Sequence, residues 1–205
     1  MVLTGTAGLV DAVGFIELGG YYTSFMSGNT TQAGAALIEG AWPIVLQTLS
    51  LIALFFLGSV FGTLLAFSST RWGPALVSAA VLSGVLATLG LTLGGWPASQ
   101  SMLVLAATAG AQNTILPMRG AVRLGATFVT GTLYTAGQDL ALAITGKAPQ
   151  WRWTQHLAVW FALLIGAALG ALVYSLIDIW TLSLPVIVYA GFTIGHLFAA
   201  RHSAI

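Results

Sequence analysis

The side chains of this chain that could do chemistry are few, and their types limit what that chemistry is. Asp11 and Asp139 are carboxylates set inside apolar runs. A charge near the centre of a bilayer costs roughly 2.5–3.5 kcal/mol on insertion scales, so each carboxylate needs a partner or a task. Asp11 has two readings: support of a neighbouring backbone segment, or a proton shuttle coupled to solute movement. Asp139 reads as a partner of Arg119 or Arg123, with proton coupling as its other role. Hydroxyls and amides gather in two places. Ser27, Asn29 and Thr30 surround Gly28, while Thr130 and Thr132 surround Gly131, with Asn113 upstream of the second group. Such groups cap helix ends or hydrogen-bond to a solute, but they do not form a reactive set. No serine, histidine and acid arrangement reads as a hydrolase, and no phosphate loop is present. His156, His196 and His202 are scattered, and His196 reads as a packing residue, so no metal site is expected. No cofactor and no enzymatic activity are expected either.

The elements that position these groups are membrane elements. Of 205 residues, 58% are hydrophobic and 5% are charged, with a mean hydropathy of +0.95. A soluble domain carries about 25% charge. Six basic and five acidic side chains cannot cover a water-exposed surface. The 25 glycines lie within apolar runs, as in closely packed membrane helices. Cysteine is absent, which excludes a disulfide, a thiolate nucleophile and a cysteine metal site. A net charge of +1 without a basic cluster points away from a nucleic-acid partner. The first apolar run contains Asp11 and Glu17 and lacks a basic leader, so it reads as a span, not a cleavable signal.

A crossing takes roughly 20 residues. Six stretches approach that length: 3–18, 43–67, 74–93, 102–118, 153–176 and 182–200. Two others, 29–38 and 132–145, are helix-like but cover only about half of a ~30 Å core. If each long stretch crosses once and the Arg71 loop is cytoplasmic, Arg119, Arg123, Lys147, Arg152 and Arg201 also fall inside. Glu17, Glu39 and Asp178 fall outside. Both ends of the chain are then cytoplasmic, in a multi-pass protein of the inner (plasma) membrane. The positive-inside rule holds throughout only if both short helices enter and leave by one face. That condition makes them re-entrant.

The halves repeat each other. Phe25-Met-Ser-Gly28 through Gly34 lies over Phe128-Val-Thr-Gly131 through Gly137. Thr6-Ala7-Gly8 matches Thr108-Ala109-Gly110, which sets Asp11 against Asn113. Gly58-x-x-x-Gly62 matches Gly166-x-x-x-Gly170, motifs that pack helices within one chain or across a homodimer. Three crossings per half is an odd number, so the second half is inverted. The expected fold is an all-α membrane protein with six transmembrane helices and two re-entrant half-helices, repeated over residues 1–98 and 99–205. Inverted repeats with broken helices mark secondary transporters and some channels. The links 19–27 and 120–130 read as extended and reach about 20 Å at roughly 3.3 Å per residue. Two helix N-termini would then meet near the midplane, each with free N–H groups and about half a positive charge. Phe25, Ser27, Gly28, Asn29, Thr30, Asn113, Phe128, Thr130, Gly131 and Thr132 are the expected solute contacts, for a small anionic or polar solute.

These residues also carry a resemblance. The run from Ala7 through Asp11 to Phe15, then Gly19-Gly20, then Ser24-Phe-Met-Ser-Gly28-Asn-Thr-Thr-Gln32, is similar to the hallmark of YoaK-like membrane proteins. So are Gly110-Ala-Gln-Asn113, Phe128-Val-Thr-Gly131-Thr-Leu and Gly137-Gln-Asp139-Leu-Ala, and the likeness extends over essentially the whole chain. Ser27 stands where the family has threonine, and Pro117 and Met118 where it is more basic. The resemblance implies a small bacterial membrane protein of a family without an assigned substrate. It leaves three functions open: a secondary transporter coupled to protons, a channel of the same architecture, or a scaffold that transports nothing.

Overall fold

Unbroken apolar runs form the helices, and proline and glycine stand where they start and stop. The computed structural model describes residues 1–115 and 129–202, which are helical without strands. The order is α1 (Val2–Glu17), α2 (Met26–Glu39), α3 (Trp42–Ser68), α4 (Gly73–Leu93), α5 (Ala98–Gln112), α6 (Val129–Ile144), α7 (Arg152–Ile177) and α8 (Ser183–His202). A 3-10 turn, Asp178–Leu182, precedes α8. Pro43 and Pro74 occupy first turns, where a missing N–H breaks no helical bond. Gly40 ends α2 with φ 68°, letting the Ala41 N–H close on the Ala36 carbonyl.

α3, α4 and the Arg152–His202 stretch are long and apolar enough to cross a membrane. α1 and α5 have 16 and 15 residues, shorter than the roughly 20 of a full crossing. α5 begins at Ala98, before the expected 102, and ends at Gln112, where Thr114 and Ile115 turn back onto Ala111 and Gln112.

Glycine decides which helices meet. A Cβ on Gly58 would overlap the Ala107 carbonyl, and one on Gly110 the Phe55 carbonyl, so α3 and α5 touch backbone to backbone. Gly166 and Gly8 stand in the same relation to Gly5 and Leu163, which joins α7 to α1. Gly62 faces Ala111 as Gly170 faces Leu9. Each close contact of one pair thus has its counterpart in the other, and both pairs join a helix of residues 1–98 to one of 99–205. Of the two packings open to Gly58, Gly62, Gly166 and Gly170, within one chain or across a homodimer, the structure shows the first: all four are buried against their own chain.

The same contacts give direction. Gln47 donates to the Ser99 carbonyl at 3.2 Å while Gly62 meets Ala111, so α3 and α5 run parallel. Tyr174 donates to Glu17 at 2.9 Å while Gly166 meets Gly5, so α7 runs parallel to α1. α8 opposes α4, with Ser78 Oγ 2.8 Å from His196 Nδ1 and Arg71 on the Ala200 carbonyl. Gln112 donates to the Leu3 carbonyl, bringing the end of α5 to the start of α1. One end of the bundle therefore carries Glu17, Glu39 and Asp178. Among the described residues, the basic side chains Arg71, Lys147, Arg152 and Arg201 lie at the other.

Candidate functional site

The site begins with a reversal. After α1, Gly19 and Gly20 take φ 65° and 112°, which glycine alone adopts without strain, and the Gly20 N–H closes on the Phe15 carbonyl. The chain then runs back along α1. Gly14 makes room for it, since a Cβ there would overlap the Thr23 methyl. The Thr23 N–H and Oγ1, each at 3.0 Å, and the Ser24 N–H at 2.8 Å donate to Asp11 Oδ1. Asn29 is fully buried; its Oδ1 accepts from the Tyr22 N–H at 3.0 Å and its Nδ2 donates to the Tyr22 carbonyl at 2.7 Å. Gln32 Nε2 donates to the Gly20 carbonyl at 3.0 Å.

These side chains replace the partner strand or water that an extended backbone lacks in an apolar setting. The link returns from Leu18 to the level of Asp11, about 10 Å at 1.5 Å per helical residue. That is half the expected reach of about 20 Å, because Gly19 and Gly20 make the turn and only the following residues are extended.

Beside the link lies a cavity of about 590 Å³, bounded by α1, α6 and α7. Its polar groups are Asp11, Ser24 and Thr130, and its aromatic wall is Phe15, Tyr22, Phe25 and Trp160. Phe15 and Tyr22 have ring centroids 5.0 Å apart, and Tyr22 meets Phe25 edge-on at 5.1 Å. Asp11 is the one charged side chain among the described residues of the lining.

Of the residues expected from sequence, the cavity brings together Asp11, Phe25 and Thr130. Ser27, Gly28, Asn29, Thr30, Asn113, Gly131 and Thr132 are not on its lining. Phe128 lies outside the described residues. The capping expected of Ser27, Asn29 and Thr30 is corrected: Phe25 holds the N-cap position of α2 with no side-chain cap bond. Asn29 is turned to the link instead, and Thr30 donates to the Met26 carbonyl one turn back, at 2.8 Å. Gly28 is covered by the Phe25 ring, whose Cδ1 lies 2.6 Å from where a Cβ would stand. Asn113 ends α5 and donates to the Ala109 carbonyl at 3.3 Å. Asp139 is buried in a pairing not expected: Arg152 Nε donates to it at 2.9 Å, a second Arg152 nitrogen joins, and His156 Nε2 lies 3.4 Å away. Arg119 and Arg123 lie outside the described residues.

Sequence reasoning missed Phe15, Tyr22, Ser24 and Trp160 as lining residues. Trp160 had a usable signal. It stands well inside α7, away from the helix ends where tryptophan anchors gather.

The chain has relatives. The family described as protein of unknown function (DUF1275) matches residues 1–195. The UPF0700 transmembrane protein YoaK of Bacillus subtilis (strain 168) is 25% identical over 179 residues, covering 84% of this chain and 80% of that protein. The UPF0700 transmembrane protein RA0705 of Rhizobium meliloti (strain 1021) is 30% identical over 167 residues, covering 80% and 70%. No solved structure shows a significant match.

Proposed function

From the premise that this chain belongs to the DUF1275 family, proteins of unknown function, we propose that it is a small secondary transporter. Its solute is bound in the cavity between the link, α1, α6 and α7. The observation that carries this reading is that cavity, where a carboxylate, a break between helices and the start of a second short helix meet in an open cleft between apolar helices. Transporter sites take this form, with discontinuous helices at the interface of two repeats.

The architecture is read as six crossings and two re-entrant helices in inverted repeats. Two features support it: the paired glycine contacts of α3–α5 and α1–α7, and their directions. α1 ends at the acidic end of the bundle and α3 begins there, so α2 returns to the face it left. α7 begins at the basic end, where α5 stops, and α6 follows the same rule. The basic end is cytoplasmic by the positive-inside rule, which places the start of α1 and the end of α8 inside. Asp11 is the coupling group, because it faces the cavity while Asp139 is held by Arg152 and His156. Among the described residues no catalytic constellation competes with transport, and the protein is proposed not to be an enzyme.

Proteoliposomes with a trapped pH dye test this. External choline, succinate and sorbitol are offered under an imposed pH gradient. A saturable, solute-driven proton flux that Asp11→Asn abolishes is expected for at least one of the three. A flux that rises linearly without saturation would indicate a channel. Protein-independent flux for all three would remove the transport reading.

A further inference from the structure

We infer that the solute accepted by this cavity is an organic cation with apolar substituents. The inference rests on the transport reading above and narrows it to a chemical class. Three observations argue for a cation, and each is independent of the repeat.

The first is charge. Asp11 is the only charged side chain on the lining among the described residues, and its Oδ1 accepts from the Thr23 N–H and hydroxyl and the Ser24 N–H. Those donors are neutral. They hold the carboxylate in place without cancelling its charge, and a charge at this depth is costly unless a counter-ion joins it. The second is the wall. Phe15, Tyr22 and Phe25 form a continuous aromatic row, and Trp160 lines the same cavity from α7. Aromatic faces attract cations through the ring quadrupole, and rows or cages of rings are how quaternary ammonium groups are recognised. The third concerns the helix ends. An anion would need open N–H groups at a helix start. The Phe25 ring covers the α2 start at Gly28, and Gly28 is not on the lining. The start of α6 contributes about half a positive charge at most, against the full negative charge of ionised Asp11. A volume of about 590 Å³ holds a cation bearing several apolar groups.

A pair of probes with one shape and opposite charge tests this on the purified full chain in detergent: tritiated tetraphenylphosphonium and tetraphenylborate. Binding displaced by excess unlabelled probe is measured for wild type, Asp11→Asn and Trp160→Leu, each checked for an unaltered thermal melt. The phosphonium is expected to bind about ten-fold or more tightly than the borate. Asp11→Asn should reduce its affinity by about ten-fold and Trp160→Leu by about three-fold. Should Asp11→Asn fail to fold, Trp160→Leu and the probe pair still decide, because Trp160 makes no hydrogen bond to the link.

Equal or tighter borate binding would overturn the inference. So would phosphonium binding indifferent to both variants. If the borate result came with saturable, Asp11-dependent succinate or sorbitol flux in proteoliposomes, the transport reading would stand and only the cation would fall. Phosphonium binding without any protein-dependent flux would do the reverse.

Discussion

Asn29 contributes through its amide alone. It satisfies both backbone groups of Tyr22 from a fully buried position. Each buried backbone group left unpaired costs about 1–3 kcal/mol. Asn29→Ala is therefore expected to lower the melting temperature in detergent far more than Thr30→Ala, whose exposed hydroxyl only returns to the Met26 carbonyl. Equal effects would mean the link does not depend on this amide. Asp11 was legible from sequence as an exception to hydrophobicity, and of its two readings the structure shows backbone support, while coupling belongs to the proposed function. The work of Asn29 and Gln32 was not legible. Their partners Tyr22 and Gly20 lie 7 and 12 positions back, and nothing in local spacing shows that two glycines fold the link against α1.

At the scale of elements, the short helices are attached to the long ones that follow them. Among the described helices, α2 packs on α3 and α6 packs on α7. The α6–α7 attachment is anchored by the Asp139, Arg152 and His156 group. Asp139→Asn is expected to raise hydrogen–deuterium exchange across α6 while leaving α2 unchanged. Uniform exchange in both would contradict a local anchor. Glycine gives a second prediction. Gly58→Ala forces a methyl into the Ala107 carbonyl, an overpacking that costs about 1–3 kcal/mol or more. Gly34→Ala meets open space, so its melting temperature should hold or rise. Helix positions were largely legible because proline, glycine and apolar run length are local signals. Which helices pair was not: Gly58-x-x-x-Gly62 says that something comes close, but no local signal names α5, far along the chain, as the partner.

For the whole molecule, the separation of charge and the parallel pairs α1–α7 and α3–α5 act together. They put the end of α1 and the start of α3 at one end of the bundle. The proposed function reads α2 and α6 as re-entrant, and it depends on that reading. The chain contains no cysteine, which makes each introduced thiol unique. The direct measurement is labelling of single-cysteine variants in oriented cells with a membrane-impermeant maleimide. Re-entry of α2 predicts that Glu17→Cys and Glu39→Cys, at the two ends of the link and α2, label from the outside. Lys147→Cys should label only after the membrane is opened. Labelling of Glu17→Cys and Glu39→Cys from opposite sides would make α2 a crossing helix and would contradict both the inverted repeat and the site built on it.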